Sequence, residues 1–108
     1  MGSNINNIYP KPAFAASVNV ADQRLTVDDT LGGVQFTTFA VPNIDVVMFD
    51  VQTADVMCTV DGSAPTTTNG HRLPAATFYM WSAQMVNNAK FIRATATSAA
   101  IQASALQI

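Results

Sequence analysis

Apolar residues recur at every second position through most of this chain, and that period decides what it can become. A β-strand sends successive side chains to opposite faces, whereas a helix groups residues three and four apart. Ser17-Val18-Asn19-Val20 alternates, and so does Arg24-Leu25-Thr26-Val27-Asp28. Val34-Gln35-Phe36-Thr37-Thr38-Phe39 continues the pattern and predicts a further strand. Residues 44–51 are rich in β-branched and aromatic side chains, and residues 56–60 alternate again. With so short a connection between them, these two runs predict an antiparallel hairpin. Thr77-Phe78-Tyr79-Met80-Trp81-Ser82 predicts a strand with aromatics on both faces, and residues 83–88 a helical turn or a loop. Residues 90–97 predict a strand with Ile92, Ala94 and Ala96 on one face. Residues 99–106 predict the last, with Ile101, Ala103 and Ala105 on one face. Alanine favours helix intrinsically, but the strict alternation and the weak helix formers Thr95, Thr97, Ser98 and Ser104 favour strand here.

Turn residues punctuate these runs. Asp28-Asp29-Thr30-Leu31-Gly32-Gly33 supplies one turn. The strongest opens at Asp61-Gly62-Ser63-Ala64-Pro65-Thr66 and closes at Asn69-Gly70, a dipeptide suited to positive φ. Asp61, Gly62, Pro65, Asn69 and Gly70 are therefore expected to be structural turn residues. Many short strands at regular spacing imply an all-β fold, an antiparallel β-sandwich or barrel, and the length permits a jelly-roll-like arrangement. We expect a single β-sandwich domain over residues 14–108. Residues 1–13 differ: Tyr9-Pro10-Lys11-Pro12 reads as an extended N-terminal arm, because proline fixes φ and extends the residue before it. Ile5, Ile8 and Tyr9, stiffened by Pro10 and Pro12, are apolar residues that a solvated tail has little use for. They are the candidate partner-binding arm.

Composition limits the functions on offer. Charged residues make up 11% of the 108 positions, against about 25% in ordinary chains. Such a surface repels its neighbours weakly, which suits either a neutral extracellular-type surface or a protein packed against other copies. The formal net charge of −2 argues against a nucleic-acid partner, which calls for a basic stripe. No apolar run approaches the ~20 residues of a membrane-spanning helix, and no signal segment is visible. The expectation is a protein soluble when made, with no membrane partner.

No catalytic constellation assembles. His71 is the single histidine and stands in a turn, without the partners a triad or metal site needs. Ser63 lacks the strand–turn–helix setting of a nucleophile elbow. Asp28 and Asp29 offer too few oxygens for calcium and read as turn chemistry. Cys58 lies in an apolar strand and reads as a buried small hydrophobe. No enzyme activity, metal or other cofactor is expected. Tyr79 and Trp81 share a strand face opposite Phe78 and Met80. If one face is core, the other exposes aromatic surface, so Tyr79 and Trp81 are candidate interface aromatics.

The second half of the chain carries a resemblance. Cys58-Thr59-Val60-Asp61-Gly62-Ser63-Ala64-Pro65-Thr66, then Asn69-Gly70-His71-Arg72-Leu73, then Phe91-Ile92-Arg93-Ala94-Thr95, resembles small structural proteins of tailed bacteriophages. It covers roughly residues 55–105. The resemblance implies a virion component, a capsid decoration or cement protein with a jelly-roll-like fold. Its partners would be the major capsid protein and itself, as homodimer or homotrimer, on the capsid exterior after assembly in the host cytoplasm. A tail or head-tail component is the other virion position. The Asp-Gly-Ser-x-Pro-Thr turn is also similar to one in small β-sandwich modules attached to glycoside hydrolases. That implies a carbohydrate-binding or accessory module as the alternative, with Tyr79 and Trp81 as its sugar platform.

Overall fold

The computed structural model describes residues 18–107. The expected arm, with Ile5, Ile8, Tyr9, Pro10 and Pro12, lies outside the described residues. Those described form an all-β fold of antiparallel strands. In chain order they are β1 (Val18–Val27), β2 (Val46–Gln52), β3 (Val56–Thr59), β4 (His71–Leu73), β5 (Phe78–Ser82), β6 (Lys90–Arg93) and β7 (Ala99–Gln107). One short helix, α1 (Ala83–Asn88), interrupts them. A four-stranded sheet runs β1-β7-β2-β5 and a three-stranded sheet runs β4-β3-β6.

Alternation builds the larger sheet as expected. Val47, Phe49 and Val51 of β2 are buried, and so are Ile101, Ala103 and Ala105 of β7. In the β2–β7 ladder these face each other in register. The alanine-rich end is thus a strand, and its small side chains let a central strand lie close under the rest of the core. From the smaller sheet, Val56, Cys58, Leu73 and Phe91 join the same buried cluster. Both sheets therefore bury one shared face.

Three expectations change. Residues 44–51 and 56–60 do not form a hairpin, because β2 belongs to the larger sheet and β3 to the smaller. The connection turns sharply, with Thr53 at φ 78° and the Ala54 N–H donating to the Gln52 carbonyl at 2.9 Å. It redirects β3, which is buried at every position, to the centre of the smaller sheet. Residues 34–39 are a loop, not a strand, joined to β6 by a single bridge between Val34 and Phe91. Gln23, on the inward face of β1, supplies the bonds a partner strand would give: its Oε1 accepts from the Thr37 and Thr38 N–H groups at 3.1 and 3.0 Å. Phe36 and Phe39 are then both buried, 5.2 Å apart. Finally, β6 ends at Arg93, and its inward residue is Phe91 rather than Ile92. Ala94 is half-buried and Ala96 exposed.

Residues 83–88 resolve to helix. Ser82 caps it, accepting from the Met85 N–H at 3.2 Å. Val86 is buried, so the helix turns inward from the end of β5.

Candidate interaction surface

Where β5 points its side chains decides what the molecule shows to its surroundings. Its register with β2 sets Tyr79 opposite Phe49 and Trp81 opposite Val47, both buried residues. Tyr79 and Trp81 therefore face the core. The Phe49 ring stacks on Tyr79 at 5.3 Å and meets Trp81 edge-on at 4.9 Å. Trp81 also stacks with Phe91 of the other sheet at 6.5 Å, tying the two sheets together. The Thr77 and Tyr79 hydroxyls are hydrogen-bonded at 3.0 Å, giving the one polar atom of that ring a partner.

The opposite side of β5 carries Phe78, 60% exposed, and Met80, 39% exposed. Met80 lies opposite half-buried Met48 of β2, and Phe78 opposite Asp50. Phe78, Met80 and Met48 make an apolar strip along the outer border of the larger sheet. A polar ladder bounds it. Arg24 Nη1 donates to Gln52 Oε1 at 2.8 Å, and Gln52 Nε2 donates to Asp50 Oδ2 at 2.8 Å. An apolar centre with a polar rim is the composition of a docking surface. The sequence held both faces of β5 in view but not their direction. Only the register against β2, whose polar outward residues are Asp50 and Gln52, distinguishes them.

The turn region forms a concavity of about 390 Å³, lined by Cys58, Thr59, Val60, Asp61, Ser63, Asn69, Gly70 and His71. Of the expected turn residues, Asp61, Asn69 and Gly70 line it. Asp61 Oδ1 accepts from the Ser63 hydroxyl at 2.6 Å and from the Ser63 N–H at 3.0 Å. These bonds, the hydroxyl's first, hold the Asp61 carboxyl below its ordinary range. Thr59 Oγ1 donates to the Ser63 carbonyl at 2.5 Å and Lys90 Nζ to the Gly62 carbonyl at 3.0 Å. Pro65 is fully buried beneath Gly33, whose φ of +86° and lack of Cβ allow the contact. Asn69 and Gly70 lead into β4, where Gly70 passes close to the Cys58 carbonyl.

This arrangement suits a folded turn. The Ser63 hydroxyl is spent on Asp61 two residues away, whereas a nucleophilic serine gives its proton to a base that a third group orients. Asp28 repeats the same local geometry, its Oδ1 accepting from the Thr30 hydroxyl at 2.5 Å and the Thr30 N–H at 3.0 Å. Asp29 pairs with Arg93 at 3.4 Å. Among the described residues no three His, Cys or acidic side chains gather as a metal site. Cys58 is buried, and burial pushes its thiol up to about 12, so it stays protonated at neutral pH. Among the described residues, no helix is long and apolar enough to cross a membrane. Compared with known proteins, the chain matches no family model, no curated protein and no solved structure.

Proposed function

We propose that this chain is a non-enzymatic structural protein of a tailed-bacteriophage virion, a capsid decoration or cement protein that binds and stabilises the major capsid protein lattice. In this reading its two sheets form a jelly-roll-like β-sandwich, it acts as a homodimer or homotrimer on the capsid exterior, and residues 1–13 reach a neighbouring subunit. The observation that carries the reading is the uncharged strip at Phe78, Met80 and Met48 on a frame of laddered strands. A rigid, charge-poor module with one apolar border suits repeated packing on a shell, where contact with several subunits multiplies a modest affinity. The resemblance read from the sequence over residues 55–105 points to the same assignment. The carbohydrate reading loses support because Tyr79 and Trp81 are turned against the core and leave no exposed coplanar pair.

The test is a particle-binding assay. The protein should sediment with shells of its major capsid protein, and shells lacking it should assemble but break at lower temperature or on osmotic shock. Equal robustness without it would remove the cement role and favour a tail or head-tail position. Deleting residues 1–12 should weaken shell binding while leaving the β-fold intact, since each buried Ile or Tyr of the arm is worth roughly 1.5–3 kcal/mol. Undiminished binding by the shortened chain would remove the arm from the reading.

A further inference from the structure

Open sheets end in edge strands, and an unprotected edge invites another strand. Four edges are present among the described residues: β1 and β5 in the larger sheet, β4 and β6 in the smaller. Three are defended. β1 carries Asp22 and Arg24 and a register break between Asn19 and Ala21. β4 carries His71 and Arg72 and runs into Pro74, and β6 carries Lys90 and Arg93. β5 reads Phe-Tyr-Met-Trp-Ser, with no charge, no proline and no register break against β2.

The backbone phase of β5 shows what its free side presents. The Val51 N–H donates to the Thr77 carbonyl at 3.1 Å, and the Ala83 N–H to the Asp45 carbonyl at 3.3 Å. In an antiparallel ladder the backbone groups of alternate residues point the same way. Residues 77, 79, 81 and 83 therefore turn theirs toward β2, and Phe78, Met80 and Ser82 turn theirs to the outer side. These are also the residues whose side chains stand on the exposed face. Phe78, Met80 and Ser82 are exposed, and among the described residues no strand pairs with this side of β5.

We propose that β5 pairs antiparallel with β5 of a second copy of this chain, about a two-fold axis at Met80, to join two four-stranded sheets into one. Met80 is the middle residue of the strand. The axis there lets its N–H donate to the Met80 carbonyl of the second copy, and the reverse. On either side the Ser82 N–H donates to the Phe78 carbonyl of the other copy. Met48 and Met80 of both copies then lie in one row across the seam, with each Phe78 diagonal to the opposite Met80, within reach of a long side chain. No charged side chain meets its own copy, because Asp50 lies one strand away from the seam. Methionine adapts to such a contact better than a branched residue.

The seam is short, about 17 Å at strand spacing, and smaller than the ~800 Å² per partner of a standard interface. The pair is therefore reversible in dilute solution and is favoured where copies are held close. It places the self-contact that the capsid reading leaves open and rests on that reading only for its use on a lattice. The measurement needs no particle, so failure of one does not imply failure of the other.

The test uses the full chain. Cα atoms of a hydrogen-bonded antiparallel pair lie about 5.5 Å apart, inside the bridging range of a disulfide. M80C should cross-link to a dimer in a glutathione redox buffer, while T26C, on the exposed opposite edge, should stay monomeric; buried Cys58 does not compete. Wild-type protein should show a concentration-dependent dimer by sedimentation, and M80K, which sets two ammonium groups against each other, should lose it with unchanged circular dichroism. Cross-linking of M80C no faster than T26C would overturn the proposal, as would a dimer that survives M80K. So would M80C that cross-links only after residues 1–17 are removed, since that segment would then be the occupant of the edge.

Discussion

Phe91 stands where the rings of both sheets converge, in contact with Phe36, Phe49 and Trp81. Phe91→Ala would leave a cavity between the sheets, and such changes cost about 3–5 kcal/mol. A lower urea midpoint at unchanged slope checks it. Charge contributes in a different range of conditions. The Asp28 and Asp61 carboxyls are held below the ordinary value of 3.8 chiefly by hydroxyl donors, and Asp55 by the Ala75 N–H, then Arg72. Their contribution to stability is present above that ordinary value and is lost as pH falls through their lowered values. Thermal melts should therefore change little on acidification to about pH 4 and decline modestly below it, because these carboxyls are solvent-exposed. Cys58 works at the other end: its contribution is present below the ordinary thiol value of 9.0 and is lost as pH rises toward about 12. Its burial was legible from Val56, Met57 and Val60 around it. The Asp55 bonds to Arg72 and Ala75 were not, because they link residues 17 and 20 positions apart.

At the level of elements, side chains take over where the backbone ladder stops. Gln23→Ala would leave the Thr37 and Thr38 N–H groups without their acceptor. Exposed Thr37 can turn to water, so the cost falls mainly on the half-buried Thr38 N–H, at most about 1–3 kcal/mol. Faster amide exchange at those two positions, with β2 and β7 still protected, would report the loop's release. Gly70→Ala should weaken the entry to β4. Its φ of +132° and a new Cβ only 2.8 Å from the Cys58 carbonyl force the β3–β4 pair apart, at about 1–3 kcal/mol; a lower melting temperature is the readout. These cases mark how far the sequence could be read. β2 was plain from its run of β-branched and aromatic residues, and β7 from its alternation. Residues 34–39 misled because Val34 and Phe36 keep the period, while Phe39 breaks it and Gln23 lies too far away to be seen as the partner. On β5, large apolar side chains fill both faces, so no contrast announced that Phe78 and Met80 look outward.

Across the whole molecule, the last strand holds the first ones in place. β7 lies between β1 and β2 and pairs with both. A chain stopped at Ser98 loses the ladder partner of both and should be unfolded by circular dichroism. The same topology makes refolding wait for contacts between distant parts of the chain, so it should fall in the millisecond-to-second range of β-rich domains in stopped-flow fluorescence of Trp81. That β1 pairs with β7 rather than with β2 was beyond the alternation pattern, which gives a strand its faces but not its neighbours. The pairing has one more consequence. Val18 sits directly across from Gln107, so the described residues start and finish at one corner of the sheet. A protein with that layout can be spliced whole into a surface loop of an unrelated host without prising the loop apart. Its sequence can likewise be cut within the exposed 66–69 turn and rejoined, Gln107 to Val18, through a short glycine linker.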